Sequence, residues 1–225
     1  MQSEFIEMGL RNSLLRFALT VLVMLGCAVV FPRLSCAEPS DAQMARNQFI
    51  QSLPVLPWAS VDETLFSDVQ APIQAMKSQY GGALLVSSGP SAETGGTFIN
   101  LSTIAKGGLL NEPGLQFITL DFNESRRLQM VTLRFDRGWN DKNISPLLER
   151  MSRRYGNLAT PTVLGDPESE ARDRVVLFEI GKFVVEVRLP QHGTYVSSTF
   201  TSKAILKRLR SIDGTLEIYK NYLDR

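Results

Sequence analysis

Thiol and imidazole side chains are almost missing from this chain. Its 225 residues include two cysteines, Cys27 and Cys36, and one histidine, His192. Both cysteines lie within the first 37 residues, so the rest of the chain has no disulfide, thiol nucleophile or cysteine-based metal site. A histidine metal site or a serine–histidine–aspartate triad would depend on His192 alone, which lies in a predicted turn beside Gly193. We therefore expect neither a metal nor another cofactor.

An excess of charge of one sign is also absent. The chain has 24 lysines and arginines against 23 aspartates and glutamates. Three of these arginines and two of the glutamates lie in the first 37 residues, so the remaining chain is neutral. Nucleic-acid-binding domains usually carry a basic excess or a basic stripe. We therefore expect no nucleic acid partner.

Known catalytic motifs are missing as well. Ser87-Ser88-Gly89 lacks the flanking glycines of a nucleophile elbow, and the glycines of Gly89–Gly96 match neither phosphate-binding fingerprint. Carboxylates at strand ends are usually exposed, but strands could bring some together as an acid–base pair. The candidates for this pair are Asp121, Asp136, Asp141 and Glu179. We assign no catalytic residue, and the alternative to a non-enzyme is a carboxylate-based hydrolase.

Long apolar runs are absent, apart from one near the N-terminus. Phe17–Phe31 is a run of about 15 residues, shorter than the ~20 that span a bilayer as a helix. It follows two arginines and precedes Ser35-Cys36-Ala37, whose small residues suit a cleavage site. We predict a signal peptide over residues 1–37, cleaved after Ala37, and a periplasmic or secreted protein. An uncleaved anchor and a lipoprotein are the alternatives, and either would attach the chain to a membrane.

The residues after this segment suit one domain with a short lead-in. Pro54 and Pro57 forbid a continuous helix in residues 38–59, which we interpret as an N-terminal tether. Residues 60–225 are numerous enough to bury a core of their own, and we predict that they form a single domain.

Apolar residues at helical spacing predict three helices in this domain. The first begins at Val61, after the capping box Ser60-x-x-Glu63, ends at Tyr80 and has a kink at Pro72. The second covers Asn140–Tyr155. A closing helix covers residues 203–225.

Alternation of apolar and polar residues predicts strands between the helices. Both faces of Leu128–Asp136 are partly apolar, which is typical of a central strand. The other strands are Thr97–Ile104, Gln116–Phe122, Asp173–Ile180, Lys182–Leu189 and Thr194–Ser202. We predict an α+β fold with an antiparallel sheet of about six strands and helices on one face.

The first two helices end alike. Ile73-x-x-Met76-x-x-x-Tyr80-Gly81 matches Leu148-x-x-Met151-x-x-x-Tyr155-Gly156 at an offset of 75 residues. This match predicts two tandem α-β-β-β repeats, residues 60–136 and 141–202, before the closing helix. The alternative is coincidence, since many helices end in Tyr-Gly.

Two groups of side chains are candidates for contact with other molecules. Basic residues on the second and third helices suit an anionic surface, unless they only form solvated helix faces. They are Arg150, Arg153, Arg154, Lys207 and Arg208. An apolar seam on the closing helix suits a partner helix, unless it packs on the sheet of the same domain. The seam consists of Ile205, Leu209, Ile212, Leu216, Tyr219 and Leu223.

These observations favour a non-enzymatic exported module that binds a protein or another component of the bacterial cell envelope. The expected contact surface is an open sheet face or the closing helix. Besides the hydrolase, a second alternative is a carrier of a small apolar ligand held between sheet and helices. The partner and the oligomeric state are left open by the sequence.

Overall fold

An antiparallel sheet of eight strands is the main element of the computed structural model, which describes residues 53–104, 107–138, 143–156, 159–164, 174–190 and 192–223. Its strands are β3 (Leu84–Pro90), β4 (Gly95–Thr103), β5 (Leu115–Asn123), β6 (Leu128–Asp136), β7 (Thr162–Leu164), β8 (Arg174–Ile180), β9 (Phe183–Leu189) and β10 (Tyr195–Ser202). A separate hairpin joins β1 (Leu53–Leu56) to β2 (Ala59–Val61). The helices are α1 (Gln70–Tyr80), α2 (Ile144–Tyr155), α3 (Lys203–Ile212) and α4 (Leu216–Leu223). The predicted α+β class and the antiparallel sheet are confirmed.

The strand order divides the sheet into two halves. The order is β3-β4-β5-β6-β10-β9-β8-β7, so the strands of each half run outward from the β6–β10 pair. We call β3–β6 the first half and β7–β10 the second half. Each half follows one helix, α1 or α2, and the two innermost strands pair antiparallel with Thr132 opposite Thr199. The predicted central position of Leu128–Asp136 is confirmed.

One face of the sheet, which we call the inner face, carries the main core. On β6 the inner face consists of Val131, Leu133 and Phe135, all buried. Helix α2 packs on this core through Leu147, Met151 and Tyr155, which lie one turn apart along one side of the helix. Helix α1 and the β1–β2 hairpin contribute to the same core.

The opposite face, the outer face, is covered by α3 and α4 over the second half. Leu206 of α3 and Tyr219 of α4 pack with outer-face side chains of β8 and β9 in a core of their own. Alternation explains the separation, because Leu177 and Phe178 are neighbours in sequence but point to opposite faces. The expectation that all helices share one face is therefore wrong for the closing helix.

The sheet has two more strands than the sequence predicted. The two added strands are β3 and β7, and neither was among the six predicted strands. β3 and β7 are the edge strands, so each pairs on one side alone and little apolar burial marks them in sequence. The two α-β-β-β units are therefore α-β-β-β-β units.

The predicted tether ends earlier than expected. Leu53–Val61 is a hairpin whose Leu53, Val55 and Val61 side chains are buried in the main core, so residues 53–59 belong to the fold. Helix α1 consequently begins at Gln70 rather than at Val61, because Val61 pairs with Leu53 in the hairpin. Pro72 falls in the first turn of α1, where its missing N–H would have no helical partner, so no kink is needed.

The remaining N-terminal predictions lie outside the described residues. These are the signal peptide over residues 1–37, its cleavage after Ala37 and the tether up to residue 52. Within the part of the chain that the structure describes, no helix combines the length and the apolar content that a membrane crossing requires.

Candidate functional site

A buried ion pair holds α3 against the second half of the outer face. Arg210 of α3 is 5 % exposed and Glu186 of β9 is fully buried. The Arg210 Nε–H donates to Glu186 Oε2 at 3.0 Å, and a second guanidinium nitrogen contacts the other carboxylate oxygen. Burial alone would lower the pKa of Arg210, but the charge of Glu186 raises it overall, so the arginine stays protonated.

The end of α3 strengthens this attachment. Asp213 contacts Arg210 and accepts a hydrogen bond from Arg188 of β9 at 3.1 Å. Burial would raise the pKa of Asp213, but the Thr215 hydroxyl and the Arg210 charge hold it below its usual value. The ring of Tyr219 lies under the guanidinium of Arg210, 5.4 Å from its carbon. These contacts place α3 over β9 and β10 and leave the first half of the outer face without a described helix.

A groove of about 560 Å³ lies on this uncovered first half, with Leu209 of α3 as one wall. Its floor is made of outer-face side chains from four adjacent strands. The lining residues are Ser87, Pro90, Ala92, Glu93, Phe98, Asn100, Phe117, Thr119, Asp121, Met130, Thr132, Arg134 and Leu209.

The centre of the groove is a row of small polar side chains. Ser87, Asn100, Thr119 and Thr132 are successive partners across β3, β4, β5 and β6, so they stand about 4.8 Å apart. The Thr119 hydroxyl donates to Asn100 Oδ1 at 3.1 Å. This bond orients the Asn100 amide and leaves its NH₂ group as a donor within the groove.

Larger side chains flank the polar row on both sides. Phe98 and Met130 lie on one side, and Phe117 and Arg134 lie on the other. The Phe117 ring packs edge to face against Tyr195 of β10, with centroids 5.1 Å apart. Arg134 is exposed, so the groove combines aromatic surface, hydrogen-bonding groups and a cation.

The end of the groove opposite Arg134 is acidic. Asp121 is 3 % exposed and accepts a hydrogen bond from the Ser91 hydroxyl at 2.8 Å. The same hydroxyl lies 3.2 Å from Glu93 Oε2. Burial raises the pKa of Asp121 to about 6, the bond from Ser91 lowers it and the charge of Glu93 raises it further. Asp121 therefore changes charge in mildly acidic solution.

The other candidate carboxylates do not join Asp121. Asp136 lies six residues beyond Met130, the partner of Asp121, so it is about 20 Å away along β6. Glu179 lies on β8, four strands from β5, which is about 19 Å across the sheet. Asp141 is outside the described residues. Among those residues, no three His, Cys, Asp or Glu side chains lie close enough together to hold a metal ion.

The predicted basic surface is divided by the sheet. Arg150, Arg153 and Arg154 belong to α2 on the inner face, whereas Lys207 and Arg208 belong to α3 on the outer face. One flat anionic surface would not meet both helices at once. His192 is exposed in the β9–β10 turn, as expected for a solvated side chain.

The predicted apolar seam is interrupted. Asp213–Thr215 separates α3 from α4, and Ile212 is 54 % exposed. Leu206 and Arg210 form the buried side of α3, one position along from the predicted Ile205 and Leu209, which are half-buried. Tyr219 is buried as part of the fold, Leu216 is half-buried, and the Leu223 side chain is outside the described part.

Sequence reasoning selected two of the groove residues for other roles, Asp121 as a candidate carboxylate and Leu209 as part of the apolar seam. It did not select the polar row or its aromatic flanks, although a signal for them exists. On β4, β5 and β6 the outer-face positions mix polar with apolar residues, as Phe98, Asn100 and Ser102 do on β4. This alternation indicates a face without a full apolar cover. It does not say which part of that face α3 leaves open.

The comparisons with known proteins add little to this description. No protein-family model and no curated protein matches the chain. A solved structure of a DUF4309 family protein, YjgB from Bacillus subtilis, is similar over 72 % of this chain and 95 % of that chain. Its sequence identity is 9 % and its TM-score is 0.34, a similarity too weak to support an argument about function.

Proposed function

We propose that this chain is a non-enzymatic binding module of the bacterial cell envelope, and that the groove on the first half of the sheet binds a protein partner. The observation that carries the proposal is the uncovered half of the outer face. The second half of the same face is closed by two helices and a buried ion pair. Most side chains that line the first half are half-buried or exposed, and no described helix covers them.

The composition of the groove favours a protein over other partners. Aromatic residues and arginine are enriched at protein interfaces, and the groove presents Phe98, Phe117 and Arg134. Its ends differ in charge, with Glu93 at one end and Arg134 at the other, which would fix the direction of a bound segment. The polar row between them supplies hydrogen bonds to a main chain or to side chains.

The size of the groove limits the expected affinity. Four strands of about seven residues cover roughly 450 Å², about half of the ~800 Å² that each partner buries in a standard interface. We therefore expect a transient complex unless the partner also contacts the rim at α3. Export through the predicted signal peptide is part of the proposal, since the envelope partner requires it.

The test is site-specific photo-crosslinking in the exporting cell, followed by binding of the purified pair. A photoreactive residue at Asn100 or Thr132 should give one discrete protein adduct. The same residue at Ser152, which is exposed on α2 at the other face, should not. The adduct partner is then identified by mass spectrometry, purified and titrated against the chain.

The titration separates the groove from the rest of the surface. Asn100→Arg and Thr132→Arg should weaken binding at least tenfold by filling the groove, while Ser152→Arg should leave it unchanged. Thermal unfolding of each variant checks that the fold is intact, and Asn100→Ala serves as a milder substitution. Equal adducts at Ser152, or unchanged binding by both groove variants, would rule out the groove as the contact surface.

A carboxylate-based hydrolase is the second candidate, because Asp121 and Glu93 approach the same Ser91 hydroxyl. A carboxyl with a pKa of about 6 suits a general acid. Its 3 % exposure weighs against this role, since a substrate would not reach it without movement of the β3–β4 turn. Hydrolysis of a glycan or peptide that is lost in both Asp121→Asn and Glu93→Gln, but kept in Glu124→Gln, would favour the enzyme.

A further inference from the structure

A second cavity lies on the inner face, away from the proposed groove. It has a volume of about 300 Å³ and is enclosed by α2, the β1–β2 hairpin and the sheet. Buried side chains form much of its wall, including Leu115, Leu133, Phe135, Met151 and Phe200. Cores of this kind rarely keep a void larger than a water molecule, which takes ~30 Å³ in the liquid. The cavity is therefore about ten times larger than an ordinary packing defect.

The apolar wall indicates what the cavity would hold. An apolar cavity of ~150 Å³ already binds a molecule the size of benzene, and water gains little from a site without polar partners. With room for about ten groups of water size, the cavity suits a flexible chain of roughly ten carbon atoms.

The rim of the cavity is cationic. Arg150 and Arg154 line it together with a single acid, Glu112. Arg150 lies 3.8 Å from Glu112 in a partly exposed pair, which is a weak interaction. Among the described residues, no carboxylate lies within ion-pair distance of Arg154.

The geometry of Arg154 leaves it able to bind an anion. Its guanidinium donates to the carbonyl oxygens of Pro54 at 3.0 Å and Val55 at 3.4 Å, both on β1. These bonds hold the head group of the side chain at the edge of the hairpin. A guanidinium has five N–H donors, so three are left for a carboxylate or a phosphate, which arginine binds well.

We propose that this cavity binds an amphiphile with one unbranched chain of about ten carbons and an anionic head group, carboxylate or phosphate. The chain lies against the apolar wall between α2 and the sheet, and the head group contacts Arg154 and Arg150 at the rim. The cavity and the proposed protein-binding groove lie on opposite faces of the sheet. A substitution at one of these sites can therefore be tested without altering the other.

The test is calorimetric titration of the purified chain with decanoate, decyl phosphate and decanol below their aggregation concentrations. The two anions should bind at least tenfold more tightly than the alcohol, and their ratio shows which head group the site prefers. Binding should strengthen about fourfold for each methylene from hexanoate to decanoate, because each buried methylene adds a constant increment. The increase should stop near ten to twelve carbons, where the cavity is full.

Matched variants locate the ligand. Arg154→Gln should weaken decanoate binding about tenfold and bring it close to that of decanol. Arg153→Gln, one residue away and paired with Glu149 at the surface, should not change it. Val55→Phe and Leu56→Phe narrow the cavity from its hairpin side and should each weaken decanoate binding, and thermal unfolding identifies a variant that is misfolded.

Three results with the wild-type chain would overturn the proposal. They are no binding of decanoate or decyl phosphate by the wild-type chain, equal binding of decanol and the anions, and chain-length dependence without a limit. The last result would mean adsorption to the surface rather than entry into a cavity. Unchanged binding by folded Val55→Phe and Leu56→Phe chains would likewise exclude this cavity.

Discussion

The two halves of the outer face have related strands but different covers. In the first half Thr119 pairs with Thr132, in the second half Glu186 pairs with Thr199, and Thr132 pairs with Thr199 across the middle. Thr119 and Glu186 thus hold corresponding places on either side of the β6–β10 pair. One is a half-buried hydroxyl in a groove, and the other is a fully buried carboxylate under α3.

The difference shows how one sheet can have one half closed by helices and another half left open. A four-strand unit buries its inner face against its own helix, and its outer face still needs either a cover or a polar lining. Among the described residues, helices cover only the second half of the outer face, and these are the two helices that follow β10. The uncovered half keeps small polar side chains, which are stable in contact with water and available to a partner.

The largest loss of folding stability is expected for a substitution in the covered half. Glu186→Ala leaves the Arg210 charge buried without its main partner, which typically costs about 3–5 kcal/mol. For a chain of this size we expect the midpoint of thermal unfolding to fall by about 10 °C. Calorimetry or denaturant unfolding of the purified chain measures the change.

An exposed acid of the same face is the control for that substitution. Glu179 is 44 % exposed and pairs with Lys203 at 2.6 Å, so Glu179→Gln should cost less than about 1 kcal/mol. Replacing both Glu186 and Arg210 with leucine should recover most of the lost stability, since no charge is then buried. A Glu186→Ala chain as stable as the wild type would mean that α3 is not held by this ion pair.

The sequence predicted the inner face well because that face follows simple rules. Period-two alternation located six of the eight strands, and helical spacing located α2, whose buried residues are Leu147, Met151 and Tyr155. Each of these signals comes from apolar side chains packed on a core. Hydropathy records that kind of burial directly.

The outer face could not be predicted in the same way. Arg210 is buried because Glu186, 24 residues earlier on another strand, receives its charge, and hydropathy treats both residues as exposed. The buried side of α3 was consequently predicted one position off. The position of the groove depends on how much of the outer face α3 covers. The ion pair sets the position of α3, so no local sequence pattern predicts the groove.

The next largest change in stability is expected for a substitution of Asp121 in the open half, and it depends on pH. The pKa of Asp121 is about 6 in the folded chain and about 3.8 when unfolded. Between these values the folded state holds a proton that the unfolded state has lost, so this group lowers stability as the pH rises from about 4 to 6. Asp121→Asn removes the effect and should stabilise the chain by about 1–3 kcal/mol at pH 7.5.

The same variant should give almost no gain below about pH 3, where both the folded and the unfolded state carry the proton. Unfolding free energies at pH 3, 5, 6 and 7.5 measure this dependence. Glu124→Gln, an exposed acid in the β5–β6 turn, is the control for a general change of charge. A gain that is the same at every pH would show that Asp121 acts through packing or hydrogen bonding instead of through its charge.

The smallest change in stability is expected for a substitution of Thr119, the counterpart of Glu186. Thr119→Val keeps the branched shape that suits a strand and removes the hydroxyl that donates to Asn100. We expect the unfolding free energy to change by less than about 0.5 kcal/mol, because the groove is open to water. A loss above 2 kcal/mol in the same denaturant experiment would mean that this hydroxyl is buried in solution. The first half would then have a cover of its own, and the proposed groove would not be free to bind a partner.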